Sequence, residues 1–167
     1  LSLKKWVNLC VYIGFGCIAL LLCQLSSPNE GFSIFNGMLI NDSFSYYFKW
    51  IILISTFSIV LVSNYSKELD REYWVEFNAL ILFVLLGMFL MTNSIDLLMI
   101  YLSIELVSIP SYILAGILKN DKKSNEASLK YVIFGSFASG LMLFGLSWLY
   151  GISGSTNIYE IYKALAT

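Results

Sequence analysis

Residues 97–116 read LLMIYLSIELVSIPSYILAG. This run is long enough to cross the roughly 30 Å hydrocarbon core of a bilayer, which takes about 20 helical residues. Its one acidic or basic side chain is Glu105, close to the middle. A charge at that depth costs several kcal/mol even on lenient insertion scales. The run therefore predicts a transmembrane helix, and Glu105 is its first candidate functional residue.

The composition is that of a membrane protein. Hydrophobic residues make up 58% of the 167 positions and charged residues 13%, against about a quarter charged in soluble domains. A formal net charge of -1 and a single arginine, Arg71, offer no basic face for nucleic acid. The absence of histidine removes the commonest proton shuttle and metal ligand, and no metal-binding spacing is present. Three cysteines on the first span lie too far apart for disulfides and are expected to be packing residues: Cys10, Cys17 and Cys23.

The fold class is predicted to be all-α, a polytopic bundle of about five transmembrane helices in a single membrane domain over residues 1–167. None of the apolar stretches shows the period-two alternation of a membrane β-strand. Asp42 or Ser43 is expected to cap the second helix and Ser94 the fourth, with Asp96 in the first turn of the fourth helix. The spans are predicted at about residues 6–25, 46–64, 73–92, 95–118 and 130–150.

The distribution of positive charges predicts an N-terminus in the cytoplasm or the mitochondrial matrix, because lysine and arginine accumulate in the loops on that side. The opposite side holds Lys163 and Lys49, and Lys49 is expected to snorkel outward from the second helix. The side that begins with the N-terminus holds seven charges: Lys4, Lys5, Lys67, Arg71, Lys119, Lys122 and Lys123.

Glu105 belongs to a predicted polar stripe, because positions 101, 105, 108 and 112 share one face of a helix. The stripe contains Tyr101, Glu105, Ser108 and Tyr112 and should point into a bundle. Pro110 removes a backbone donor, which favours a kink or a bound water. The functional interpretation is that Glu105 relays protons or ions. The structural alternative is a protonated or paired glutamate that holds helices together.

Lys130 is the best intramolecular cation for Glu105, since it opens the predicted fifth helix and a short loop makes helices four and five antiparallel. The alternative is a lysine that snorkels to the interface. The two groups are expected about 15 to 20 Å apart by helical rise, so a water-linked path or another helix is favoured over direct pairing. Residues 135–145, GSFASGLMLFG, indicate close helix packing through small side chains.

A family resemblance rests on three segments, residues 35–50 (FNGMLINDSFSYYFKW), residues 76–116, which end in YLSIELVSIPSYILAG, and residues 124–151, which begin SNEASLKY. Together they resemble the antiporter-like membrane subunit of respiratory complex I, called subunit N in bacteria and NADH dehydrogenase subunit 2 in mitochondria. The resemblance covers about residues 35–151. It implies that Glu105 is the buried glutamate of the family's fifth transmembrane helix. Lys130 matches the lysine that begins its sixth, and both then belong to a proton relay.

The same resemblance implies a membrane-arm subunit of a proton-translocating NADH:ubiquinone reductase with no redox chemistry and no cofactor in this chain. NADH, FMN, iron–sulfur clusters and quinone are expected in other subunits. The expected partners are the lipid bilayer, other complex I membrane subunits, and a second chain with the missing C-terminal helices of a split or truncated subunit. The AT-rich residue usage favours the mitochondrial inner membrane, with the bacterial plasma membrane as the alternative.

Two other functions remain open. A related cation/proton antiporter or membrane hydrogenase shares the fold logic, although the pattern LSIELVSIPSYILAG argues against it. A structural membrane scaffold that has lost transport is the other, because the family's later helices supply channel residues that this sequence does not contain.

Overall fold

The computed structural model describes residues 2–24, 32–65 and 73–166. They form a helix bundle with one small hairpin, which confirms the predicted fold class. The elements in chain order are α1 (Ser2–Gln24), β1 (Phe32–Ile34), β2 (Leu39–Asn41), α2 (Ser43–Tyr65), α3 (Trp74–Asn93), α4 (Leu97–Ala115), α5 (Lys122–Ser153) and α6 (Ile158–Ala166).

Four helices, α2 to α5, are long and apolar enough to cross a membrane, and α1 contributes a shorter apolar stretch, Asn8–Cys23. The predicted spans fall on α1 to α5, with one clear difference at the start of α5. That helix begins at Lys122 rather than at Lys130. Asp121 caps it by accepting a hydrogen bond from the backbone N–H of Lys123 at 3.1 Å, so two polar turns precede the apolar part.

The first three helices share a hydrophobic core. Helix α4 packs against α3, and α5 packs against α4. The most extensive helix contact joins α3 to α4. Gly87 permits the α3–α4 contact, because a Cβ there would lie only 2.8 Å from Cγ2 of Val107. The buried core residues are Val11, Phe15, Leu22, Leu53, Val60, Ile81 and Leu85.

One end of the bundle is tied together by backbone hydrogen bonds around the hairpin. Ile95, in the turn between α3 and α4, donates its N–H to the carbonyl of Met38 at 3.1 Å and accepts from the N–H of Ile158 at 3.0 Å. The β1–β2 hairpin, this turn and the start of α6 therefore meet at one place, the hairpin end of the bundle. The apolar pattern of the sequence predicts neither the hairpin nor α6.

The opposite end, the loop end, contains the start of α1, the end of α2 and the start of α3. Asn8 donates to Oδ1 of Asn64 at 2.9 Å and accepts from Nε1 of Trp74 at 2.6 Å. Lys119 reaches the same end through an ion pair with Glu76 at 3.1 Å. Lys119 thus lies at the loop end, where α1 begins, and this agrees with the prediction that these positive charges share one side of the membrane. Lys67 and Arg71 fall outside the described residues. The side of the membrane stays a prediction.

The structure confirms one of the two predicted helix caps and contradicts the other. Asp42 caps α2, because its Oδ1 accepts from the backbone N–H of Ser45 at 2.8 Å. The prediction that Ser94 caps α4 is wrong. Asp96 is the cap and accepts from the N–H of Leu98 at 2.9 Å, whereas the Ser94 hydroxyl donates to the carbonyl of Leu90 at 2.7 Å. Because α4 begins at Leu97, residue 96 and not residue 94 occupies the cap position.

Candidate functional site

Glu105 lies one residue before the midpoint of α4. Its side chain is half-buried, and Oε1 is buried with no hydrogen-bond partner among the described residues. Buried polar atoms are almost always satisfied in folded proteins, so an exception requires water, an ion or a functional explanation. The structure therefore leaves one oxygen of Glu105 buried without a partner among the described residues, and the role of this residue stays a prediction.

The stripe that contains Glu105 faces α5. Tyr112 fixes the direction, because its ring meets that of Tyr131 edge to face with centroids 4.7 Å apart and its carbonyl accepts from the Ser128 hydroxyl at 2.9 Å. Glu105 is about two helical turns earlier on α4, so its Cα–Cβ bond points the same way. All four residues of the stripe are half-buried.

Hydroxyl groups occupy the α4–α5 region between the level of Glu105 and the loop end. The Ser108 hydroxyl donates to the carbonyl of Ile104 at 2.8 Å, and that of Ser111 donates to the carbonyl of Ser108 at 2.7 Å. The Ser111 and Tyr131 hydroxyls are 3.4 Å apart. Each keeps acceptor lone pairs that water can use, so this side of α4 can be hydrated.

Lys130 lies in the third turn of α5 rather than at its start. Its ammonium pairs with Glu126, four residues earlier, and the lysine side chain is 65% exposed. The Ser128 hydroxyl donates to the carbonyl of Tyr112, and a Cβ at Gly116 would lie 2.7 Å from Cβ of Ser128, so Ser128 lies level with residues 113–116. Counting two residues further along the antiparallel α5 places Lys130 about 9–14 Å from Glu105 along the bundle. The structure does not bring the two predicted site residues together.

Lys49 is a buried charge that the sequence interpretation missed. The ammonium reaches back towards the hairpin end and donates to Oδ1 of Asn41 at 2.7 Å, which is the predicted outward direction, but the residue is only 8% exposed. Asn41 is the last residue of β2 and lies two positions before the start of α2, so Lys49 reaches back past the first turn of its own helix. Beside Lys49, Oδ1 of Asn93 is buried and has no hydrogen-bond partner within the described part of the chain.

No group of three histidine, cysteine, aspartate or glutamate residues that could hold a metal ion occurs among the described residues. The three cysteines are free and exposed on α1, so they do not pack inside the described bundle as predicted: Cys10, Cys17 and Cys23.

Comparison with known proteins identifies similar membrane subunits. Residues 94–167 match the family described as NADH:quinone oxidoreductase/Mrp antiporter, TM. NADH-quinone oxidoreductase subunit N of Anaeromyxobacter sp. strain Fw109-5 is 48% identical over 134 residues, which cover 80% of this chain and 26% of that protein. Subunit N 1 of Koribacter versatilis is 42% identical over 98% of this chain and 34% of that protein. The chain thus spans about a quarter to a third of the length of these curated relatives.

Two solved structures also contain chains that are similar to this one. A chain of respiratory complex I from Thermus thermophilus matches 92% of this chain with a TM-score of 0.73 and 25% identity, and 33% of that chain is covered. A chain of the archaeal membrane-bound sulfane sulfur reductase matches 96% of this chain with a TM-score of 0.76 and 22% identity, covering 34% of that chain. At that identity the second match shows the fold alone. The subunit N relatives and the Thermus structure confirm the predicted resemblance.

Proposed function

We propose that this chain, similar to subunit N of NADH-quinone oxidoreductase over about a third of that subunit, is part of a membrane-arm subunit of a respiratory NADH:quinone oxidoreductase. In this proposal it contributes to proton translocation through Glu105 and Lys130 and performs no redox chemistry. NADH, FMN, iron–sulfur clusters and quinone belong to other subunits of the complex. The relatives with subunit N names, up to 48% identical, support this assignment.

The proposal depends on the buried carboxyl group of Glu105. A carboxyl group is costly at the centre of a span, and its buried Oε1, which has no partner among the described residues, needs a hydrogen-bond donor such as water. Water that reaches this oxygen would connect Glu105 to a proton path, and this is the role that the proposal gives to the residue.

The route from Glu105 towards the loop end runs along the hydroxyls between α4 and α5. The axial separation of about 9–14 Å from Lys130 is too long for direct transfer, so the path requires water beside Ser108, Ser111 and Tyr131. The ion pair between Lys130 and Glu126 then lies at the loop end of that path. In this arrangement Lys130 sets the local charge that a proton meets on the way to Glu105.

The partners in this proposal are other membrane subunits and the helices that the longer relatives possess beyond the matched third. Within the described chain, α5 has no buried residue, although it carries the Lys130–Glu126 pair. The curated relatives are about three to four times longer than the matched part, so further helices are expected to pack against α5. A second chain with those helices is the specific prediction, and copurification with this chain tests it.

The bacterial origin of the relatives supports the bacterial plasma membrane over the mitochondrial inner membrane as the location. A cation/proton antiporter or membrane hydrogenase remains the second candidate, because the matched family includes Mrp antiporters and the archaeal reductase complex shares the fold. The much higher identity to subunit N favours complex I.

Glu105→Gln in the assembled complex tests the proposal. Glu76→Gln is the matched control, since Glu76 is an exposed acid at the loop end, ion-paired with Lys119. NADH oxidation and NADH-driven dye quenching are measured in the same membrane vesicles, with assembly checked on native gels. We expect Glu105→Gln to lower the protons moved per NADH and Glu76→Gln to leave that ratio unchanged. An assembled Glu105→Gln complex with the wild-type ratio would leave only the scaffold role.

A further inference from the structure

A cavity of about 530 Å³ opens between α1 and α3, in the half of the bundle nearest the hairpin end. Its volume lies within the range of about 300–1,000 Å³ that is typical of small-molecule sites. Its lining is aliphatic and aromatic except for Lys49 and Asn93. The apolar lining residues are Ile18, Leu21, Leu22, Leu82, Leu85, Leu86, Phe89 and Leu90.

The polar and apolar parts of this cavity are separated along the bundle axis. Lys49 is in the second turn of α2 and Asn93 is the last residue of α3, so both lie towards the hairpin end. The lining then continues along α3 to Leu82, eleven positions before Asn93, which is about 16 Å of helix. Half of a hydrocarbon core is about 15 Å thick. The cavity therefore has the length of one lipid leaflet, with its polar groups at the headgroup end.

The polar groups still have hydrogen-bonding capacity. Lys49 uses one of its three donors on Asn41, and Oδ1 of Asn93 is a buried acceptor without a partner in the described residues. A ligand that satisfies both needs an anionic oxygen for the ammonium, a donor group for the amide oxygen, and a long apolar tail. A phosphodiester on an ammonium forms a charge-assisted hydrogen bond, which is roughly twice as strong as a neutral one.

We infer that this cavity binds an anionic phospholipid of the phosphatidylglycerol type. The phosphate accepts from Lys49, a glycerol hydroxyl of the headgroup donates to Asn93, and one acyl chain lies along α3 towards Leu82. An acyl chain gains little on leaving bulk lipid, since lipid tails are as apolar as leucine. The selectivity therefore comes from the headgroup, and the charge of Lys49 favours an anionic lipid over a zwitterionic one. This site is independent of the proposed proton path.

The test reconstitutes the full chain into phosphatidylcholine vesicles that contain a minor fraction of phosphatidylglycerol. The chain is extracted and its copurified lipids are quantified by mass spectrometry. We expect phosphatidylglycerol to be enriched severalfold over its share of the vesicle. Lys49→Gln should abolish the enrichment, whereas Lys122→Gln, which removes an exposed lysine at the start of α5, should retain it. Lipid at the vesicle ratio in the wild type, or enrichment that survives Lys49→Gln, overturns the inference.

A second variant keeps the test decisive if Lys49→Gln does not fold. Leu86 lines the cavity and is 49% exposed, so Leu86→Trp should fill the cavity without touching Lys49 and should displace the lipid. A photocrosslinking residue at position 86 in the assembled complex identifies the occupant directly. An adduct with phospholipid supports the inference, and an adduct with a protein segment overturns it.

Discussion

The contact between Tyr112 and Gly135 holds α4 against α5 and offers a measurable perturbation, Gly135→Ala. A Cβ at position 135 would overlap the Tyr112 hydroxyl oxygen and lie 2.5 Å from Cζ and 2.7 Å from Cε1 of the ring. Gly140, on the same helix, is the matched control because a Cβ there meets nothing within 4 Å. The two substitutions make the same chemical change in the same helix.

The expected magnitude follows from these distances. Carbon atoms in contact are about 3.5–4.0 Å apart, so the ring of Tyr112 must retreat by roughly 1 Å. Such overpacking costs about 1–3 kcal/mol, and losing the edge contact with Tyr131 would add about 0.5–1.5 kcal/mol. Replacing a helical glycine by alanine returns about 0.5–1 kcal/mol in either variant. Gly135→Ala should therefore be less stable than Gly140→Ala by at least about 1–3 kcal/mol.

The assay is unfolding of the purified full chain in mixed micelles, followed by far-ultraviolet circular dichroism. In a Tyr112→Ala background the two glycine substitutions should have equal effects, because the ring that creates the conflict is gone. Equal stability of Gly135→Ala and Gly140→Ala, within about 0.5 kcal/mol, in the chain with Tyr112 intact would refute this account of the α4–α5 contact.

Two further predictions concern the caps at the hairpin end. Asp42→Ala should lower the unfolding free energy by about 1 kcal/mol at neutral pH. The hydrogen bond from the Ser45 backbone holds the pKa of Asp42 below its usual 3.8, so its stabilisation is complete above that value and is lost as the pH falls through the folded-state pKa. The unfolding free energies of wild type and variant should therefore converge as the pH falls through that folded-state pKa, and a constant gap would contradict this. Asp96→Ala removes both the α4 cap and the acceptor of the Thr156 hydroxyl. Amide hydrogen exchange should then become faster in α6 and in the first turn of α4, whereas Thr156→Val should make it faster in α6 alone. Unchanged exchange in α6 would refute the idea that the hydrogen bond between Thr156 and Asp96 holds α6 in place.

The spans could be read from the sequence because a run of about 20 apolar residues is a local property. The hairpin could not, since each strand has three residues and its position depends on the bond between Met38 and Ile95, which are distant in sequence. The apolar pattern predicts too late a start for α5, because the first two turns of that helix are polar. Those turns are nevertheless rich in good helix formers, lysine, glutamate, alanine and leucine.

Some features of the candidate site could likewise be predicted from the sequence, and others could not. Glu105 could be predicted because a single acid in an apolar run stands out, and its direction followed from helical periodicity. The burial of Lys49 could not, because it depends on how the helices around α2 pack, which the spacing of residues along the chain does not give. Small residues at 140 and 145 suggested close packing, but of the three glycines in that segment only Gly135 meets another helix within the described chain. Spacing alone does not say which small residue a neighbour will approach.

Infrared difference spectroscopy of the assembled complex tests the role of Glu105 most directly. The carboxyl band of Glu105 is assigned by its loss in Glu105→Gln and its retention in Glu76→Gln, and spectra are recorded before and after NADH addition. If Glu105 relays protons, turnover changes the intensity of this band and the change shifts in D2O. A band that NADH leaves unaltered, in an active complex, would contradict the relay and leave Glu105 as an anchor between helices.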